Sequence, residues 1–228
     1  MRVLGISTPA KYVSISIADI SVESGAVRQN IIAEFSSFGS KSEDLTALAQ
    51  EIFRVSKTDI KSIELISVVQ GPGSYSGLRG GLAAAKSFAQ ALDIPIVGVS
   101  ALETMAGELI NIEGTIAVIL DAVKDEYNFA LFSVSGQKIS RLSEDTVLTK
   151  EKLGGLLDNF KMPVCVASPY DDIKGLSGNG NIINVKTFAR AVNAGLSGYE
   201  KFHAGKSGDV LKMVPDYSHT PKIKEYKR

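Results

Sequence analysis

The chain has 228 residues, 44% of them apolar and 22% charged, the balance of an ordinary folded protein that can bury a core without disulfide or metal staples. Lysine and arginine number 25, and so do aspartate and glutamate, so no global field draws the molecule onto nucleic acid. A single cysteine excludes an internal disulfide, no apolar run reaches the ~18–20 residues that cross a bilayer, and no signal-peptide pattern opens the sequence; a cytoplasmic protein is expected.

The charge is uneven along the chain. Residues 201–228 hold seven basic and three acidic side chains, a surplus of +4 that leaves −4 to the first two hundred. A solvated terminus is the ordinary reading of such a tail, and contact with RNA or an acidic partner is the alternative.

The opening is β-rich. Arg2–Ser7 reads as a strand, Thr8-Pro9-Ala10-Lys11 as a turn, and Tyr12–Ile20 as a strand that alternates Val13, Ile15 and Ile17 with Ser14, Ser16 and Ala18. Gly25 turns the chain into a third strand, Val27–Phe35. Ser40 and Glu43 fit a capping box ahead of a helix whose apolar positions are Leu45, Leu48, Ala49, Ile52 and Phe53. A strand at Ile63–Val69 then meets a glycine-rich turn that opens a helix over Leu78–Leu92. Ile94–Val99 follows as a strand and Ala101–Ile110 as a helix.

Near Gly114 the order restarts. Strands are predicted at Thr115–Asp121, Tyr127–Val134 and Lys138–Arg141, a helix at Thr149–Phe160, and a strand at Val164–Ala167 that holds the lone Cys165 as a buried thiol. Ser168–Gly180 is rich in Gly, Ser, Asn and Asp and reads as a loop, and Val185–Leu196 as a helix. Two copies of strand, turn, strand, turn, strand, helix, strand describe an α/β protein with a duplicated ribonuclease-H-like fold, the ASKHA architecture of actin, Hsp70 and sugar kinases. Its expected lobes are residues 1–112 and 113–200, each a mixed sheet flanked by helices, followed by a basic segment over 201–228.

The most informative stretch is Gly71-Pro72-Gly73-Ser74-Tyr75-Ser76-Gly77-Leu78-Arg79. Glycines at a strand-to-helix turn direct backbone N–H groups at whatever sits above the helix, which suits an anion; they also suit a tight turn with no ligand. The spacing is not that of a P-loop, which ends in Gly-Lys-Ser/Thr, nor of a dinucleotide-binding fingerprint. Ser74 or Ser76 can cap the helix. Gly77, Gly81 and Ala85 recur every four residues and lay a strip of very small side chains along it, while Leu78, Leu82 and Ala89 supply an apolar face. The strip offers a surface on which another helix could approach closely, inside the lobe or from another chain.

Read together with Gly81, Ala83-Ala84-Ala85-Lys86 and Asp93-Ile-Pro-Ile-Val-Gly-Val-Ser-Ala-Leu-Glu-Thr104, this loop resembles the TsaB (YeaZ) family of bacteria. The resemblance is strong over about residues 62–105 and looser at Val3–Thr8, Asp121–Phe132 and Pro215–Tyr217. It implies a non-catalytic subunit in the synthesis of N6-threonylcarbamoyladenosine at position 37 of tRNAs that read ANN codons. In that scheme the paralogue TsaD carries the metal and the threonylcarbamoyl-adenylate site, and the ATPase TsaE joins the pair. The implied docking surface is formed by helices of the first lobe: Gly77, Leu78, Arg79, Gly81, Leu82, Ala85 and Lys86 after the glycine loop (Gly71, Pro72, Gly73, Ser74, Tyr75), with Leu45, Leu48 and Ile52 of the first helix. The same surface is implied for a homodimer of the free protein, and tRNA is met only through the complex.

The residues themselves weigh against catalysis, and no cofactor or metal is expected. Where nucleotide-hydrolysing relatives place an aspartate on the first strand, this chain has Ser7, which lacks the charge that holds a hydrated magnesium ion. The histidines are His203 and His219, without the His-x-x-x-His spacing of a TsaD-like metal site. The chain also has Lys41 where many relatives place a histidine, and Tyr217-Ser218-His219 where they have Tyr-Leu-Arg. An ATP-binding enzyme of the actin-like fold and a glycoprotease-like peptidase are the competing readings.

Overall fold

A computed structural model describes residues 1–39, 44–161, 163–170 and 182–218. Eleven strands among these residues form two sheets. The first takes the order β3-β2-β1-β4-β5, with β1 (Arg2–Ser7), β2 (Tyr12–Glu23), β3 (Ala26–Phe38), β4 (Leu65–Gly71) and β5 (Ile96–Ser100). The meander β1–β3 is antiparallel, whereas β4 and β5 join parallel through the crossover helix α2 (Tyr75–Leu92). The second sheet repeats this plan as β11-β10-β6-β7-β8, with β9 beside β7. Its strands are β6 (Gly114–Asp121), β7 (Glu126–Ser135), β8 (Lys138–Arg141), β9 (Thr146–Thr149), β10 (Val164–Ser168) and β11 (Ile182–Lys186). This is the duplicated ribonuclease-H-like, actin-type fold.

Helices separate and cover the sheets. Helix α1 (Leu45–Ser56) lies on β2 and β3, and α2 lies on β4, so both sit on the outer face of the first sheet. Leu45, Ala49 and Ile52 of α1 and Leu82, Ala85 and Ala89 of α2 meet Leu4, Ile6, Ile15 and Ile66 there. Helix α3 (Ala101–Ala106, extended by a 3₁₀ turn at Gly107–Leu109) and helix α5 (Ala191–His203) fill the space between the sheets. Helix α4 (Lys150–Asp158) closes the far side of the second sheet through Leu153 and Leu157. The layers therefore run α1/α2, sheet, α3/α5, sheet, α4.

One buried cluster joins both sheets across the middle layer: Val3, Leu65 and Val97 from the first, Ile116, Val118 and Phe132 from the second, with Leu102, Met105, Ala194 and Tyr199 between them. Cys165 belongs to it, and burial pushes its thiol upward, away from the thiolate.

Helix α5 explains the serine face of β2. Ser14 and Ser16 are buried under it rather than solvated. The first N–H groups of a helix need outside acceptors. Here the first sheet supplies them: Ala191 N donates to Ser14 Oγ at 3.1 Å and Val192 N to Glu34 Oε1 at 3.3 Å. Ser67 Oγ donates to Ala194 O at 2.5 Å, and Gly5 and Gly198 keep the backbone contact free of side chains. Small residues on both surfaces let helix and sheet approach closely.

Several expectations need correction. The helix predicted over Val185–Leu196 is a strand to Lys186 followed, after a crossing segment, by α5, which continues to His203. Helix α5 thus crosses the expected boundary at residue 200, and it packs chiefly on the first sheet. Strand β9 has no counterpart among the predicted elements. The third strand is longer than Val27–Phe35, and α3 ends at Ala106 before its 3₁₀ turn. The Ser40–Glu43 capping box, Lys41, His219 and most of the predicted Ser168–Gly180 loop lie outside the described residues. His203 is an exposed ring whose Nδ1 lies 3.0 Å from Tyr199 O.

Candidate functional site

The glycine loop is where three segments of this chain cross. Gly71 and Gly73 hold φ of 155° and 158°, which side chains rarely adopt, and both are pressed by neighbouring backbone. A Cβ on Gly71 would sit 2.0 Å from Asp216 O, and one on Gly73 would sit 2.3 Å from Pro9 O. Pro72 between them is buried. Three amides of the loop and the helix start are likewise engaged internally. Ser74 N donates to Pro9 O at 2.6 Å, Gly77 N to the capping Ser74 Oγ at 3.4 Å, and Leu78 N to Ser74 O at 2.9 Å. These donors meet the protein's own oxygens, which is the ligand-free reading of the turn.

The small-residue strip faces inward, and this corrects the expectation that it meets a partner. A Cβ on Gly77 would lie 2.2 Å from Thr8 O, and one on Gly81 would lie 2.1 Å from Thr8 Oγ1. Thr8 Oγ1 itself donates to Gly77 O at 2.7 Å. Ala85, Leu78 and Leu82 are buried in the core, as are Leu45 and Ile52 of α1, while Leu48 packs half-buried against it. None of the buried side chains can touch a second protein while the lobe is folded. The helix needs its small residues because the β1–β2 turn lies directly on it.

The opposite face of α2 is open. Tyr75, Arg79, Ala83, Ser87, Gln90 and Ala91 are exposed. Along one flank runs the segment after α5, a strap over residues 208–218. Gly208 N donates to Ile96 O at 2.8 Å and closes the outer edge of β5. Lys86 Nζ donates to Leu211 O and Met213 O at 3.3 and 3.2 Å; Gln70 Nε2 donates to Val214 O, and Gln70 O accepts from Asp216 N. Only Met213 of this stretch is buried. Leu211 and Val214 point away, 77% and 64% exposed. At its end Tyr217 stacks on Tyr75, 4.9 Å between ring centres. The Arg79 guanidinium lies 4.2 Å over the Tyr75 ring, and its Nε donates to Tyr217 Oη at 3.0 Å. Gln70, Leu211 and Val214 were not singled out by sequence; the one signal for the strap was Pro215–Tyr217.

The other place where this fold could hold a ligand is the end of β1. Ser7 is fully buried and donates its hydroxyl to Ala189 O of the crossing segment. Phe188 of the same segment stacks on Tyr12 at 5.0 Å and meets Phe38 edge-on at 4.8 Å. Arg190 then bridges Glu34 and Glu108, its Nη1 lying 3.3 Å from Glu108 Oε2. Burial opposes the charge on Arg190, but the two carboxylates outweigh it and hold the guanidinium well above its ordinary value. Among the described residues no group of three or more His, Cys, Asp or Glu side chains is placed to hold a metal ion, and no helix is long and apolar enough to cross a membrane.

A family model described as "TsaD: tRNA N6-adenosine threonylcarbamoyltransferase" matches residues 39–171, more than half of the chain. The tRNA threonylcarbamoyladenosine biosynthesis protein TsaB of Bacillus subtilis is 32% identical over 117 residues, 50% of this chain and 51% of that one. A tRNA N6-adenosine threonylcarbamoyltransferase of Thermodesulfovibrio yellowstonii is 28% identical over 194 residues, 79% of this chain and 53% of that one. The chain thus spans about half the length of these curated relatives. In fold it is similar to YeaZ from Pseudomonas aeruginosa, with a TM-score of 0.72 at 15% identity over 95% of this chain and 100% of that one.

Proposed function

Since the chain belongs to the TsaB/YeaZ family, within the threonylcarbamoyltransferase-like group, we propose that it serves the synthesis of threonylcarbamoyladenosine in tRNA as a non-catalytic subunit that docks a TsaD-like transferase. A TsaE-like ATPase is the third member of the assembly, and the free chain pairs with itself through the same surface. What supports this reading is how the chain occupies its own potential ligand sites. The amides of Ser74, Gly77 and Leu78 are bonded internally, and the residue at the end of β1 is an uncharged serine turned onto a backbone carbonyl. A docking role needs neither site. It needs an open surface on a rigid support, and the outer face of α2 with its strap provides one.

The test is direct. Purified chain and its cognate transferase are mixed and separated by size; co-elution is expected. Depletion in the host should remove the threonylcarbamoyl mass from adenosine-37 of tRNA. Absence of any complex would overturn the docking role, and micromolar Mg-ATP binding with turnover by the isolated chain would overturn the non-catalytic one.

A further inference from the structure

We propose that Arg79, held between Tyr75 and Tyr217, is the anchor of the docking surface and takes a carboxylate of the transferase partner through its two terminal nitrogens. The inference rests on the docking role above and adds the chemistry of the contact. Guanidinium groups carry five N–H donors in a planar fork. In Arg79, Nε is bonded to Tyr217 Oη and the plane rests over Tyr75, which fixes the side chain without engaging the fork. No carboxylate among the described residues pairs with Nη1 or Nη2. The group is exposed, oriented and short of an anion, the arrangement that a bidentate carboxylate completes.

The described surroundings favour a protein carboxylate over an RNA phosphate. An RNA backbone is met by several cations in a row, since affinity comes from neutralising successive phosphates. Among the described residues the neighbouring cation on α2, Lys86, is committed to the strap carbonyls, and the groups in contact with Arg79 are Tyr75 and Tyr217. An exposed arginine beside two tyrosines has the composition of a protein–protein hot spot. The strap therefore has a second task besides closing the β5 edge: Tyr217 presents Arg79, and the same strap exposes Leu211 and Val214 farther along its length.

Equilibrium binding of the full-length chain to its transferase, measured by calorimetry, tests the proposal. Arg79→Gln should weaken binding by ~30-fold or more, as truncating a hot spot does. Arg79→Lys should fail to restore it, because a point charge cannot form the fork. Tyr217→Phe keeps the stack and loses the hydroxyl, so a loss of about fivefold is expected from one hydrogen bond. Leu211→Ser should weaken binding less than Arg79→Gln. These side chains are exposed or half-buried, so melting temperatures should stay near wild type, separating docking from folding. If wild type forms no complex, the docking role itself falls. If wild type binds and Arg79→Gln binds equally well, only the anchor falls; loss of tRNA binding with an unchanged complex would also overturn it, in favour of a phosphate contact.

Discussion

Individual glycines here have opposite roles that only their neighbours reveal. Gly77 and Gly155 both lie in helices, yet a methyl group on Gly77 would strike the Thr8 carbonyl at 2.2 Å while one on Gly155 meets nothing within 4 Å. Helix propensity favours alanine over glycine by ~0.5–1 kcal/mol at either site. At Gly77 the collision with a rigid carbonyl outweighs that gain. Gly77→Ala should therefore cost about 2–3 kcal/mol, a fall of roughly 4–10 °C in melting temperature for a chain of this size. Gly155→Ala should raise it slightly. Differential scanning fluorimetry on both variants checks the signs; equal effects would mean that the turn onto α2 yields easily.

The same comparison shows what could be read from the sequence. On a helical wheel at about 100° per residue, Gly77, Gly81 and Ala85 adjoin Leu78, Leu82 and Ala89 in one continuous arc of about 140°. A small strip that merges with the leucine face belongs to the core, so its inward direction was legible from spacing. Arg79 lies outside that arc, and its exposure was legible too. Its tyrosine partner was not, because 138 residues separate Arg79 from Tyr217 and no local pattern links them.

Among the elements, α5 depends most on the rest of the chain. Its N-terminal residue Arg190 makes no side-chain cap, and β2 and β3 supply the acceptors instead. That is why the sequence misplaces its start: the capping groups are Ser14 and Glu34, far upstream. The two-strand periodicity of the meander and the strand–glycine–helix junction are local signals and were readable. β9 runs directly into α4 and β11 lies only a few residues before α5, so each is masked by the helical pattern that follows it.

The anchoring of α5 also sets a pH dependence. Burial raises the Glu108 carboxyl above its ordinary 4.5, although Arg190 and Asn193 pull the other way and Glu34 adds to the rise. A raised carboxyl binds its proton more tightly in the folded chain, so folding takes up a proton just above pH 4.5. The contribution of Glu108 to stability must then fall as pH rises from 4.5 through the raised value. Urea unfolding between pH 4.5 and 7 should show wild type losing stability relative to Glu108→Gln across that window. A constant difference would mean that the carboxyl titrates normally.

At the scale of the whole molecule, the expected first lobe is not self-sufficient. Residues 1–112 contain β1–β5 and α1–α3, but the inner face of their sheet is covered by α5, from the other end of the chain. Without it Ser14, Ser16 and Ser67 lose their helix, and Val3, Ile20 and Leu65 lose the central cluster. Burial of apolar surface is the main favourable term in folding. A fragment ending at residue 112 should therefore give a collapsed, poorly dispersed amide NMR spectrum, while the full chain unfolds in one step by circular dichroism and tyrosine fluorescence. A well-dispersed fragment would show that the lobe closes its own core. The interdigitation has a consequence for function: hinge enzymes move their domains about a cleft, whereas here one buried cluster joins the two sheets and the Arg190 bridge ties the first sheet to the turn after α3. A platform built this way presents α2 and the strap in a fixed geometry, so the docking proposed above would leave little ordering to do at Arg79.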